Sequence, residues 1–312
     1  MSKTIPVVLF AYARPDHLRR TLDGLRADSV PLIYAFSDGP CGGKDEPAVG
    51  DVRAILRAVD WCELELVERA TNWGLGRSVR AGVTDVLESH DCAIIFEDDL
   101  VCMPGTYRYL CAALRHYRNE PRVMSVTGWT HPRVTPADVA DQPYFDGRAE
   151  CWVWGTWARA WHGMDVEAET LFRECSKRGI DPYRYGADLP AMALEEKARN
   201  IWAVRWLLLH ILRGGLCLRP PFSLVENIGF DALATNPGGE GLWMDTLRGY
   251  APTIPADWPV PVEHVECARL WQAVYGARRS PAGRWVHRSV RVVQRLKRAA
   301  SRVGAAVFHR GG

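Results

Sequence analysis

The sequence predicts an α/β protein built on a mostly parallel sheet flanked by helices. Apolar runs at 5–12, 31–36, 92–96 and 122–129 have strand length and are nearly continuous, as strands covered on both faces are. Between them lie stretches with apolar residues at helical spacing. Strands that alternate with helices in this way build parallel sheets, and such sheets bind ligands beyond the carboxyl ends of their strands.

The elements follow in order. "IPVVLFAY" (5–12) is the first strand. Pro15 then opens a helix carrying Leu18, Leu22 and Leu25 on one face. "PLIYAF" (31–36) is the second strand and ends in the turn signal Ser37-Asp38-Gly39-Pro40. A helix with Pro47 near its start follows over 46–59, and "ELELVER" (63–69) alternates like a half-covered strand. A helix over 75–88 leads to "CAIIF" (92–96), another begins near Pro104, and "RVMSVTGW" (122–129) is the fifth strand. Beyond Trp129 the pattern changes to a Trp-rich stretch, "RAECWVWGTWARAW", then helical segments at 165–178 and 188–213. A loop rich in Asn, Gly and Pro runs to about residue 241, as a closing lid would. The expected division is therefore 1–129, an α/β half; 130–276, a helical second half with the lid; and 277–312, a tail.

Composition narrows the function classes. The nine Cys stand singly with no CxxC pair, which suits a reduced, cytoplasmic chain, and the first apolar run reads as a strand rather than a signal peptide. No stretch approaches the length of a membrane span. There is no Walker A loop, no Gly-x-Ser-x-Gly elbow, and no zinc-like grouping. Residues 277–312 hold ten Lys and Arg and no acid, leaving 29 basic against 37 acidic residues elsewhere. Arg288, Arg291, Arg295, Arg298 and Arg302 form one helical stripe beside Val292, Leu296, Val303 and Val307. An apolar face beside the arginines favours an anionic membrane surface over nucleic acid.

The strongest chemical signal is "CAIIFEDDL" (92–100). A buried strand runs directly into Glu97, Asp98 and Asp99, and no Lys or Arg follows until Arg108. Carboxylates this close repel by several kcal/mol in a desolvated crevice, of order 4 kcal/mol for unit charges at ~4 Å and an effective dielectric of ~20. A divalent cation bridging a diphosphate removes that penalty, and hard oxygen ligands suit Mg²⁺ or Mn²⁺. Asp38, Tyr12 and Arg14 lie at the ends of other strands and are expected at the same crevice.

In order along the chain, "VVLFAYARPDHLRRTLDGL", "PLIYAFSDGP", "NWGLGRSVRAGV", "AIIFEDDLVCMPGTYRYL" and "RVMSVTGW" resemble segments of GT-A glycosyltransferases. The closest variant is the Glu-Asp-Asp of N-acetylglucosaminyltransferase I and its bacterial relatives. "CWVWGTWARAW" and "CLRPPFSLVENIGFD" resemble that family more loosely, so the likeness covers about residues 5–235. It implies a GT-A-like (Rossmann-like) fold with a helical acceptor-side half and the C-terminal basic amphipathic helix. It further implies an inverting, Mn²⁺- or Mg²⁺-dependent transferase taking a nucleoside-diphosphate sugar, with UDP favoured, to a glycan or lipid-linked glycan at the inner face of a membrane. By the same resemblance Asp38 bonds the base, with Tyr12 and Arg14 framing the nucleotide. Glu97 and Asp98 face the ribose and the metal's water shell, and Asp99 is the direct ligand. Arg77 approaches the base or phosphates, and Ser223 opens the lid near the phosphates. The family's general base falls on Ala203, which cannot serve, so Glu195, Glu196, Asp231 and Glu226 are the substitutes. Trp129, Trp152 and Trp154 are expected to include at least one ring lining the cleft. Two other classes remain open: a relative that binds nucleotide or glycan without turnover, and a sugar-phosphate nucleotidyltransferase.

Overall fold

The computed structural model describes residues 4–230, Trp243, Leu247 and 252–276. Asp231, most of the expected lid and the basic tail lie outside the described residues. The fold is α/β, as expected: an eight-stranded sheet with helices on both faces. Strands β1 (Val7–Ala11), β2 (Leu32–Ser37), β3 (Glu63–Glu68) and β4 (Cys92–Glu97) are joined by helices α1 (Pro15–Ala27), α2 (Glu46–Arg57) and α3 (Leu75–Ser89). All pairings among these four strands are parallel, β1 with β2 and β4, and β2 with β3. The short β5 (Leu100–Cys102) then leads into α4 (Thr106–His116) and β6 (Val123–Thr127).

The second half extends the same sheet with β7 (Tyr144–Asp146), β8 (Trp154–Trp157) and β9 (Leu216–Arg219), giving the order β3-β2-β1-β4-β8-β6-β9-β7. Here the sheet is mixed rather than parallel. β8 runs antiparallel to both β4 and β6, and β7 antiparallel to β9, while β6 and β9 are parallel. Helices α5 (Ala158–Trp161), α6 (Ala168–Lys177), α7 (Asp188–Arg199) and α8 (Ala203–Arg213) cover one face, and α9 (Cys267–Tyr275) closes the described chain.

β1 shows why the run at 5–12 is continuous. Val7 and Leu9 pack into the core beside α1 and α4, whereas Val8 and Phe10 pack into a second core with α3 and the tryptophans. β3 alternates because it is the edge strand, with one side of each residue pair left to solvent. Most of the Trp-rich stretch is core. Trp154 is 1% exposed and its ring lies 5.3–5.5 Å from those of Trp161, Trp202 and Trp206.

The helical segment expected over 188–213 breaks in two. Asn200 adopts a left-handed conformation (φ 52°, ψ 44°), ending α7, and its side-chain amide donates to the carbonyl of Trp73 at 3.3 Å. The break lets the α7–α8 junction sit against the start of α3. A Cβ on Gly76 would lie 2.1 Å from the Asn200 carbonyl oxygen, so only glycine permits this approach. Gly76→Ala is expected to cost about 1–3 kcal/mol, as overpacking against backbone does, read by urea denaturation.

Candidate functional site

Parallel register makes the site. Phe10 pairs with Glu97 and Ala11 pairs with Ser37. The next residue on each strand, Tyr12, Asp38 and Asp98, therefore emerges at the same edge. The backbone N–H of Tyr12 donates to Asp98 Oδ2 at 2.8 Å, tying the end of β1 to the acids after β4. A cavity of about 530 Å³ opens there, lined by Tyr12, Arg14, Asp38, Glu97, Asp98 and Asp99 among others. The structure thus brings together six of the expected donor-site residues.

The acids are held in a low-dielectric crevice. Burial, then the charges of Asp99 and Asp98, push the Glu97 carboxyl well above its usual range. Burial, then Asp99, pushes Asp98 up to about 7. Asp99 is raised by burial too, against the pull of Arg14, whose Nη1 donates to Asp99 Oδ2 at 2.8 Å. The donor set is hard oxygen, but no grouping of three or more His, Cys, Asp or Glu among the described residues is placed to hold a metal by itself. Mg²⁺ is usually held by one or two carboxylates, with waters and substrate phosphates completing its shell. Asp99 would hold such an ion.

The segment after Ser223 packs over this cluster. β10 (Val225–Asn227) pairs antiparallel with β5, the Ile228 N–H donates to the Asp99 carbonyl at 2.9 Å, and His17 Nε2 lies 3.0 Å from the Ile228 carbonyl oxygen. A Cβ on Gly229 would fall 2.1 Å from Asp99 Oδ2. Phe230 then meets the edge of Trp152 at 5.7 Å, and both rings line the cavity. Ser223 itself is buried, its hydroxyl donating to the Val225 carbonyl at 2.7 Å, and it does not line the cavity with the acids.

Two expected nucleotide contacts are otherwise engaged. Asp38 Oδ1 accepts N–H groups of Gly39 and Trp73, and Oδ2 those of Trp73 and Gly74, at 2.8–3.0 Å. Three N–H groups make these contacts, that of Trp73 shared between both oxygens, and Asp38 thereby holds the loop before α3. Arg77 is exposed and lies 3.9 Å from the centre of the Trp73 ring, with Arg69 4.2 Å from the same centre, and it does not line the cavity. Tyr12 faces the cavity with its hydroxyl donating to Asp45 Oδ2 at 2.8 Å and accepting from the Cys41 N–H at 3.0 Å. Burial, then Asp45, raises its pKa to about 12.

Among the described residues, the substitutes for the base do not line this cavity. Glu195 is exposed and paired with Arg199 at 3.1 Å. Glu196 is buried, bonded to Arg205 through Oε1 and accepting the Ala168 N–H through Oε2 at 2.9 Å; it ties α7 to α6 and α8. The break at Asn200 is the reason neither is on the helix that carries Ala203. Glu226 is exposed, 3.9 Å from Arg20. Asp231 lies outside the described residues.

A second cavity, about 280 Å³, shares Trp152 with the first and is lined by Trp129, Trp206, Trp243, Trp271, Ala203 and Glu150, among others. Trp129 and Trp152 thus line clefts, while Trp154 is core. Sequence reasoning missed Glu150. The available signal was its place directly ahead of the Trp run; its partner Arg219 is remote in sequence.

No protein-family model matches the chain, and no curated protein matches it in sequence. Among solved structures 118 chains match. A mannosyltransferase from Pyrobaculum calidifontis, in complex with GDP-Man and Mn²⁺, shares 14% identity at a TM-score of 0.36, over 49% of this chain and 44% of its own. Mouse xyloside xylosyltransferase 1 shares 11% identity at 0.38, over 67% and 81%. A 4-diphosphocytidyl-2C-methyl-D-erythritol synthase from Anaerococcus prevotii shares 12% at 0.28, over 57% and 78%. The match thus spans less than half of the mannosyltransferase. All three likenesses are remote, and the functional conclusion is drawn from this chain's own residues.

The raised Asp98 fixes a pH dependence. Its folded-state pKa of about 7 exceeds the usual 3.8, so its protonation favours the folded chain. That contribution is complete below the usual value and is lost as pH rises through about 7. In chelator, Asp98→Asn is expected to reduce the fall in stability across this window, the remainder belonging to Glu97 and Asp99, measured by urea denaturation at a series of pH values.

Proposed function

We propose that this chain is a metal-dependent glycosyltransferase of the GT-A type, inverting, that transfers a sugar from a nucleoside-diphosphate donor to a glycan or lipid-linked glycan. The observation that carries the reading is the meeting of Glu97, Asp98 and Asp99 with the ends of three parallel strands at the wall of one cavity. The bound ion would neutralise charge on the departing diphosphate. Asp99 would hold it, Glu97 and Asp98 would face the ribose and the water shell, and Arg14 would lie beside the phosphates. Tyr12 and the loop held by Asp38 would form the wall for the base, with UDP the favoured nucleotide. The stretch from Val225 to Phe230, packed over the acids, would close that side of the site. In this reading the basic tail, 277–312, would hold the enzyme at an anionic membrane surface on the cytoplasmic side. No helix among the described residues is long and apolar enough to cross a membrane.

One observation favours a second reading. Ala203, Glu195 and Glu196 put no base at the two larger cavities, and Glu226, which lines a small third cavity of about 30 Å³ with Trp129, Trp152 and Trp243, is exposed and 3.9 Å from Arg20, as in a relative that binds nucleotide without turnover.

Thermal shifts with UDP, dTDP, GDP and CDP, each with and without Mn²⁺, test the donor site. A shift that requires Mn²⁺ together with one nucleotide, UDP by expectation, and that is lost in Asp99→Ala, is the expected result. No shift with any nucleotide would remove the transferase reading and reduce the acids to a local electrostatic feature.

A further inference from the structure

The second cavity has the composition of a site for a sugar ring. Trp129, Trp152, Trp206, Trp243, Trp271 and Tyr275 supply flat apolar walls, and Arg148, Glu150 and Asp188 supply the polar groups. Aromatic walls with a few placed polar groups suit a hydroxyl-bearing ring, which stacks its C–H face and bonds through its rim. At about 280 Å³ the space is close to the lower end of small-molecule pockets, about 300 Å³, and suits one ring better than a polymer.

The polar groups differ in how far they are committed. Arg148 and Asp188 satisfy each other through two contacts, Nη2 to Oδ2 at 2.6 Å and Nη1 to Oδ1 at 3.2 Å, with the guanidinium over Trp271 and Tyr275. Glu150 is engaged at both oxygens, Oε2 the more loosely. Its Oε1 accepts the N–H of Cys151 at 2.9 Å, and Oε2 is ion-paired with Arg219 Nη1 at 3.5 Å. Arg219 is itself fixed, fully buried with Nε 2.8 Å from Asp146 Oδ2. The loop from β7 to β8 thus presents a carboxylate to this cavity with its position set from behind.

The same loop joins the two cavities. Trp152 walls both, and burial, then the charges of Glu150 and Glu97, push the Cys151 thiol well above its usual range. Ala203 lines the cavity that Glu150 lines. The position at which a base is absent and the carboxylate that can replace it therefore face one space.

We infer that the tryptophan-lined cavity takes a sugar residue of the acceptor and that Glu150 is the general base for its hydroxyl. This rests on the donor reading above. The acceptor oxygen bonds to the donor's anomeric carbon as that carbon's bond to the diphosphate oxygen breaks. The bonding pair leaves with the nucleoside diphosphate, and the hydroxyl proton passes to Glu150 Oε2. Water in the same cavity meets the same base, so slow donor hydrolysis reports on it without a known acceptor.

The test uses the full chain, Mn²⁺, and the sugar nucleotide whose base gives the largest Mn²⁺-dependent thermal shift. Nucleoside diphosphate release is measured for the wild type and for Glu150→Gln, which keeps an acceptor for the Cys151 N–H. Release is expected to fall about 100-fold or more, the usual range for a lost general base, with the nucleotide thermal shift unchanged. Sodium azide, a nucleophile with no proton to remove, is expected to restore release in the variant. Release within a few-fold of wild type would overturn the assignment. So would a loss that azide does not restore, or an intact nucleotide shift with no release from the wild type. Absence of the nucleotide shift itself would strike the donor reading, a separate failure.

Discussion

Buried negative charge at the end of β4 is the constraint on which the rest depends. Glu97, Asp98 and Asp99 each have a raised proton affinity because burial removes water, and at Glu97 and Asp98 the neighbouring carboxylates add repulsion. Arg14 offsets part of this at Asp99, and the Tyr12 N–H offsets part at Asp98. A fold selected for stability alone has simpler options, since apolar residues at a buried strand end avoid the cost altogether. The arrangement makes physical sense when a bound cation completes the balance.

The tryptophans divide between two tasks. Trp154, Trp161, Trp202 and Trp206 pack together under α8 and stiffen the mixed half of the sheet. Trp129, Trp152, Trp243 and Trp271 meet at the second cavity, with Trp206 reaching it from the core. Trp152 belongs to both cavities, so its ring is a shared wall between a site for charge and a site for flat apolar faces. The buried pair of Arg219 and Asp146 supports this wall from behind: the Trp271 indole N–H donates to Asp146 Oδ2 at 2.7 Å, and Arg219 reaches toward Glu150.

The parallel half was legible because its signals are local. Continuous apolar runs gave β1, β2 and β4, and strand-end acids gave the cavity, since parallel register brings those ends together whatever the details of packing. The rest depends on distant partners. The break at Asn200 is set by its contact with Trp73 and the close approach of Gly76, residues more than a hundred positions earlier. β8 runs antiparallel because its loop returns between β4 and β6, which no periodicity in "VWGTW" records. The hold of the Trp73–Gly74 backbone on Asp38 was likewise invisible, as backbone donors carry no sequence signature. Glu150 lay in a stretch whose tryptophans drew attention as rings, while its own position is fixed by an arginine on β9.

The central claim, that a divalent cation and a diphosphate balance these acids, is tested most directly by diffraction from crystals soaked with Mn²⁺ and UDP, using the anomalous signal of manganese. The expected result is a manganese peak within coordinating distance of the Asp99 carboxylate and of the diphosphate oxygens. A nucleotide bound without manganese at Asp99, with Arg14 still on that carboxylate, would contradict it.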